Sequence, residues 1–217
     1  MTKYNFLVFD LDGTLVDSKN DLAYAVNCVR KDYGFEALTI DKVRSFVGNG
    51  VKVLIEKSVP DTKGESVQQA LDRFNAYYGK CLLNETKPYD GIDEMLKSLK
   101  GFKKAVLSNK PEKFSKEIIN GLGWSEYFDE IFGADTIKGF KKPDTKVIFE
   151  LMQRVRAFPQ ESIMIGDGIN DIKIAKAADI ASLAIFYGYT DICVLKNLEP
   201  DFTANNAQDI IKIIKGE

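Results

Sequence analysis

The sequence predicts an α/β protein, with a doubly wound parallel-sheet core and an all-helical unit inserted after its first strand. Three observations carry this reading. From about residue 88 onward, short apolar runs alternate with segments of helical periodicity, the pattern of a parallel sheet covered by helices on both faces. An apolar, aromatic-rich run at 4–9 (YNFLVF) stands alone near the start and reads as a buried strand of the same sheet. Between the two, residues 17–83 show helical periodicity and little else. The Rossmann-like core is therefore expected from residues 1–15 and 86–217. The insertion is expected at 16–85, with hinges near 15–18 and 84–89. A chain of 217 residues suits one large domain or a core with a smaller satellite. At that size roughly 70% of the unfolded surface is buried, so no disulfide or metal staple is required.

Within the insertion, Leu22, Val26, Val29 and Tyr33 recur at helical spacing. So do Val51, Leu54 and Ile55, and then Leu71, Phe74, Tyr78 and Cys81. Asp17 and Thr39 fit as N-caps. In the core, a helix over 92–100 precedes a strand at 103–107, and a helix over 111–122 precedes a short strand near 131–133. A helix over 145–156 precedes a strand at 162–165, and a helix over 170–178 precedes a strand at 181–186. A last helix covers about 206–215, and its terminal lysines complement the helix dipole.

Composition excludes several chemistries. The chain has no histidine, which removes Ser-His-Asp and Cys-His catalysis, imidazole acid–base work and histidine metal sites. Proton transfer near neutral pH then falls to carboxylates, Lys, Tyr or Cys. Cys28, Cys81 and Cys193 are widely spaced and form no CxxC, against a disulfide framework or a thiolate zinc site. Cys28 and Cys81 read as core residues of the helical unit. Lys+Arg total 30 against 32 Asp+Glu, so no basic excess invites nucleic acid. No apolar run reaches the roughly 20 residues of a membrane span. Met1-Thr2-Lys3-Tyr4-Asn5 lacks the basic and apolar blocks of a secretory signal, and a reducing cytoplasm is expected.

Open parallel sheets bind ligands beyond the carboxyl ends of their strands. After the first strand comes Asp10-Leu11-Asp12-Gly13-Thr14, and after 103–107 comes Ser108-Asn109-Lys110-Pro111. Gly166-Asp167-Gly168-Ile169-Asn170-Asp171 follows 162–165, and Lys141-Lys142-Pro143 precedes the helix over 145–156. Asp10, Asp12, Asp167 and Asp171 converging in one cleft would repel unless a cation intervened. Oxygen donors without His or Cys favour a hard ion, most simply Mg²⁺, which also takes substrate phosphate oxygens. Pro111 fits the first position of a helix, so Ser108 and Asn109 would lie where free amides and the helix dipole receive an anion. A lysine supplies the compensating charge. Taken singly, each cluster has a plainer reading as a capped turn or a solvated charge. Gly166-x-Gly168 suggests a dinucleotide loop, but Asp171 stands where its third glycine belongs. Together, ordered along one βα framework, the four clusters describe a Mg²⁺ site beside a phosphate cradle.

Phe9-Asp10-Leu11-Asp12-Gly13-Thr14-Leu15 resembles motif one of the haloacid dehalogenase superfamily. Ser108, Lys142-Pro143 and Gly166-Asp167-x-x-Asn170-Asp171 resemble its motifs two, three and four, and the insertion matches the position of a C1-type helical cap. The resemblance implies that Asp10 is the nucleophile and forms an aspartyl-phosphate. Asp12 would protonate the leaving oxygen and then activate water. Ser108 and Lys142 would hold the transferring phosphoryl group, with Asn109 and the amides near Gly13 completing the cradle. Mg²⁺ would sit on the Asp10 carboxylate, the Asp12 main-chain carbonyl and Asp167, with Asp171 orienting its surroundings. Lys141 is a rival to Lys142, which is preferred because the family lysine directly precedes the proline. An acid at position 12 implies phosphomonoester hydrolysis or phosphomutase chemistry rather than dehalogenation.

Arg44-Ser45-Phe46-Val47-Gly48-Asn49-Gly50-Val51 is similar to the cap loop of the phosphoglycolate phosphatase subfamily. Ser108-Asn109-Lys110-Pro111, Tyr187-Gly188-Tyr189 and Pro200-Asp201-Phe202 also resemble that subfamily. A small carboxylated substrate needs a second anion site under the lid, for which amides at Gly48, Asn49 and Gly50, with Arg44 or Lys52, are candidates. An ordinary helix-joining turn is the competing reading of that loop. Asp179 departs from the glycine that relatives commonly carry after the Ala-Ala pair. The expected activity is thus Mg²⁺-dependent hydrolysis of a small phosphorylated metabolite, 2-phosphoglycolate first. Pyrophosphate, nucleoside monophosphates and sugar phosphates remain alternatives, as do a phosphomutase and a non-catalytic binding module. The protein is expected as a monomer or homodimer.

Overall fold

In the computed structural model, residues 4–62 and 64–217 are described. The first strand, β1 (Phe6–Phe9), is buried along its whole length. A short strand β2 (Val16–Asp17) follows, and then four helices: α1 (Lys19–Asp32), α2 (Ile40–Arg44), α3 (Val51–Ser58) and α4 (Val67–Cys81). The chain returns through β3 (Lys87–Pro88), which pairs antiparallel with β2, Val16 opposite Pro88 and Asp17 opposite Lys87. The expected hinges are thus a two-stranded ribbon rather than loose linkers. The core then runs α5 (Ile92–Ser98), β4 (Lys103–Leu107), α6 (Glu112–Gly121), β5 (Glu130–Phe132), α7 (Thr145–Val155), β6 (Ser162–Gly166), α8 (Ile169–Ala177), β7 (Ala181–Ile185), α9 (Ile192–Lys196), β8 (Phe202–Ala204) and α10 (Ala207–Lys215).

Six strands form one parallel sheet in the order β5-β4-β1-β6-β7-β8. The side-chain period of two divides β1 between the layers. Leu7 and Phe9 enter a core with α5, α6, α10 and the inserted helices, while Phe6 and Val8 enter a second with α7 and α8. Helices therefore cover both faces, as expected. β8 and α9 are additions to the expected elements; at three and five residues, each is too short to show a period.

Local chemistry explains the helix starts. Thr39 caps α2, accepting from Lys42 N at 3.2 Å, and Ser66 with Gln69 forms a capping box on α4. The cap residue of α1 is Ser18 rather than Asp17. Asp21, buried in the first turn of α1, accepts from Glu85 N at 3.0 Å, Thr86 N at 2.8 Å and Thr86 Oγ1 at 2.7 Å. It ties the start of the helical insertion to its return. Asp179 takes the left-handed backbone (φ +54°), so the turn after α8 keeps the shape a glycine would give. Cys81 is buried in the helical unit, whereas Cys28 is only half-buried. Among the described residues no helix is long and apolar enough to cross a membrane.

Candidate active site

The carboxyl ends of β1, β4 and β6 bring the predicted residues together. Asp10 extends the β1 ladder, its N–H donating to Ile165 O at 2.9 Å. Its Oδ1 accepts from Leu11 N at 2.7 Å and lies 3.0 Å from Lys142 Nζ. Beyond it the chain doubles back, with Leu15 N and Val16 N both donating to Leu11 O. Gly13 sits in that turn at φ +84°, and a Cβ there would lie 2.3 Å from Asp167 Oδ2. Glycine is required twice over, for the backbone and for the approach. Thr14 Oγ1 donates to Asp167 Oδ1 at 2.8 Å and accepts from Asp167 N at 3.1 Å. Tyr189 N donates to the other Asp167 oxygen at 2.7 Å. Asp167, on the loop after β6, is therefore fixed from two sides by the loops after β1 and β7.

Asp10, Asp167 and Asp171 present carboxylate oxygens within 4.8 Å of one another. Burial, with Asp10 next, pushes Asp167 up to about 7, against the opposing donors Tyr189 N and Thr14 Oγ1. Burial likewise pushes Asp171 up to about 8, against the pull of Lys142. Lys142 Nζ is 2.6 Å from Asp171 and 3.0 Å from Asp10. Burial pulls the Lys142 ammonium down, but the two carboxylates outweigh it and its pKa is raised. An all-oxygen, buried, self-repelling cluster is a donor set for a hard divalent cation, which would relieve the cost of ionising it.

Asp12 is held apart from that cluster. Its Oδ1 accepts from Ser18 Oγ, and Ser18 N donates to the Tyr189 hydroxyl at 2.8 Å. Its Oδ2 lies 2.8 Å from Lys110 Nζ. Lys110 and Tyr189 are contacts that motif reading missed as functional. The family-like strings 108–111 and 187–189 contained both, yet nothing in them names Asp12 as the partner of Lys110 or Ser18 as the partner of Tyr189.

Ser108 is buried, and its N–H donates to Phe132 O at 2.9 Å. Pro111 proves to be the residue before α6, and the first helix amide, Glu112 N, is taken by Asp135 at 2.7 Å. That amide is therefore not free for an anion, and Pro111 stands one position earlier than expected. Asn109 Nδ2 donates to Gly48 O and Lys142 O, both at 3.0 Å. Asn170 Nδ2 donates to Gly48 O at 3.0 Å and Asn49 Oδ1 at 3.1 Å. Lys141 Nζ donates to Asn49 O at 2.6 Å. Lys141 thus clasps the 48–50 loop, while Lys142 faces the carboxylates. Gly48 and Gly50 line a cavity of about 50 Å³ with Asp10, Asp12, Ser108 and Lys110. Asn49 lines a second, of about 240 Å³, with Asp10, Lys142 and Asp171. Arg44 lines neither; its guanidinium lies 3.3 Å from Asp41 on its own helix. Lys52 likewise faces Glu56, at 3.9 Å.

Residues 7–185 match the family pattern of the haloacid dehalogenase-like hydrolases. A phosphoglycolate phosphatase of Colwellia psychrerythraea is 41% identical over 192 residues, 84% of each chain. One from Aquifex aeolicus is 36% identical over 210 residues, covering 96% of this chain and 95% of its own. The crystal structure of a predicted phosphoglycolate phosphatase from Haemophilus somnus superposes with a TM-score of 0.93 at 30% identity, over 98% of this chain and 99% of that one. A family match over that span, with relatives at this identity, places the chain among the haloacid dehalogenase-like hydrolases, as a phosphatase of that family.

Proposed function

We propose that the protein hydrolyses 2-phosphoglycolate with Mg²⁺ through a phosphoryl group carried on Asp10. The observation that carries this reading is the meeting of Asp10 with Lys142 on one side and the Asp167–Asp171 pair on another, beside a cavity that Asp12 also lines. The relatives' names supply the substrate. The cavity beside Asp12 has room for a short leaving group.

Asp10, Asp167 and the Asp12 main-chain carbonyl would hold Mg²⁺, with Asp171 beside them. When bound, the ion supplies positive charge to the cluster and to the phosphoryl oxygens. In the first step an Asp10 carboxylate oxygen bonds to phosphorus as the phosphorus–oxygen bond to glycolate breaks. Asp12 gives its proton to the departing oxygen. In the second, Asp12 takes a proton from water, the water oxygen bonds to phosphorus, and the bond to Asp10 breaks. Lys142 and Ser108 stabilise charge on the transferring group. Residues 16–85 act as a cap over a core of 1–15 and 86–217, and the 48–50 loop closes the site against water.

The test is phosphate release from 2-phosphoglycolate, pyrophosphate, nucleoside monophosphates and hexose phosphates, with Mg²⁺ and with EDTA. A Mg²⁺-dependent preference of at least about tenfold for 2-phosphoglycolate, about 1.4 kcal/mol of transition-state binding, is expected. Release spread evenly over the panel would discard the substrate assignment, and release undiminished by EDTA would discard the metal.

A further inference from the structure

We propose that Lys110, together with the Tyr78 hydroxyl, binds the carboxylate of the leaving group and so sets substrate specificity. The inference rests on the substrate reading above and names the residues that enforce it. An ester's leaving group must lie against Asp12, which protonates it, and so in the cavity that Asp12 lines. That cavity, about 50 Å³, offers roughly three to five water-sized positions, enough for a methylene and a carboxylate. Its far walls are apolar, built by Leu22, Val51, Leu54, Phe74 and Phe114. An anion placed there needs a specific partner, because burying an unpaired charge is costly.

Among the described residues, Lys110 is the only cationic side chain that lines this cavity. It is buried, and its Nζ lies 2.8 Å from Asp12 Oδ2 and 2.8 Å from the Tyr78 hydroxyl. An ammonium carries three N–H donors, so those two partners leave one unused. Tyr78 adds another. Its ring is locked between Phe74, stacked at 5.3 Å, and Phe114, edge-on at 5.2 Å. Its oxygen accepts from Lys110, and its own proton meets no acceptor among the described residues. Burial keeps that proton on the oxygen. A substrate carboxylate would accept from both donors, while an ester without one leaves them unmatched. Arg44 and Lys52 do not line this cavity.

The arrangement also divides the work between the two halves of the molecule. Lys110 follows β4 in the core, and Tyr78 belongs to α4 of the insertion. The pair forms only when the two are together, so a carboxylated substrate favours closure.

The experiment compares kcat/KM for 2-phosphoglycolate and ethyl phosphate, which has the same chain length without the carboxylate. The probes are tested on the full-length protein with Mg²⁺, as wild type, K110M and Y78F. Wild type is expected to prefer 2-phosphoglycolate, and K110M to cut that ratio by roughly 10- to 150-fold, the range of a hydrogen bond to a charged group. Y78F, which removes one donor to the same carboxylate, is expected to cut it by roughly 10-fold, the low end of that range. A wild type without preference would overturn the substrate reading and this assignment together. A wild-type preference that K110M leaves intact, both esters falling equally, would overturn the Lys110 assignment alone. Should K110M fail to fold, Y78F removes a single oxygen, and an unchanged ratio there would overturn the pair.

Discussion

Without a divalent cation, the folded protein is expected to lose stability as the pH rises from about 4 to about 7. Asp167 has an ordinary carboxyl value of 3.8 when exposed and is pushed up to about 7 by burial and by Asp10. Below pH 4 the folded and unfolded chains both hold this proton, and well above 7 neither does. In between, the folded chain keeps a proton that the unfolded chain has released. Stability from this group is thus fully present at low pH and lost on the way up. A gap of about three pH units at about 1.4 kcal/mol each is worth about 4 kcal/mol. Asp171, pushed up to about 8, acts in the same direction. At about 2–4 °C per kcal/mol for a chain of this size, Asp167 alone moves Tm by about 10 °C. A bound cation favours the ionised carboxylates and cancels the loss, so the stabilisation given by Mg²⁺ grows with pH. The assay is thermal melting in EDTA and in Mg²⁺ from about pH 5 to about pH 8, on wild type and Asp167→Asn. A Mg²⁺ effect equal at both ends of that range, or a wild-type slope in Asp167→Asn, would refute the reasoning.

Two further predictions follow from named contacts. Asp21→Asn removes a buried charge that accepts from Glu85 N, Thr86 N and Thr86 Oγ1. It should cost about 2–3 kcal/mol in urea unfolding; a loss below about 0.5 kcal/mol would mean the hinge is held by other contacts. Lys142→Met, which strips the cation facing Asp10 and Asp171, should lower kcat by roughly 10²–10³-fold. Lys141→Met, which frees only the Asn49 carbonyl, should stay within roughly tenfold of wild type. The opposite order in steady-state kinetics would reverse the assignment of the two lysines.

How much of this was legible beforehand depends on whether the information is local. The Asp10–Thr14 turn, the Gly166–Asp171 turn and the buried strands before them carry their chemistry in consecutive residues, so their convergence at the strand ends follows from sheet topology alone. Thr39 as a cap is local in the same way. What stayed hidden joins residues far apart in sequence. Thr14 braces Asp167 across 153 positions, and Lys110 reaches Tyr78 across 32. Asp21 holds Thr86 across 65. No spacing rule reveals such pairs, because the first depends on which strands lie side by side in the sheet and the other two on how the insertion seats on the core. Lys141 and Lys142 are neighbours of identical type; the proline that follows pointed to Lys142, but that Lys141 clasps the 48–50 loop is visible only in the fold. Arg44, a candidate by charge, faces Asp41 three positions before it on the same helix, a pairing that the i,i+3 spacing does show. β8 was not expected, and its pairing with β7 completes the sheet.

The central claim is that Asp10 carries the phosphoryl group. Wild type, quenched in acid within a single turnover of 2-phosphoglycolate and Mg²⁺, should yield one phosphorylated peptide by mass spectrometry. That peptide should contain Asp10, lose its phosphate to hydroxylamine as an acyl phosphate does, and be absent from an Asp10→Asn protein that no longer turns over. Turnover without a phosphorylated Asp10 peptide, or full activity in Asp10→Asn, would contradict the account.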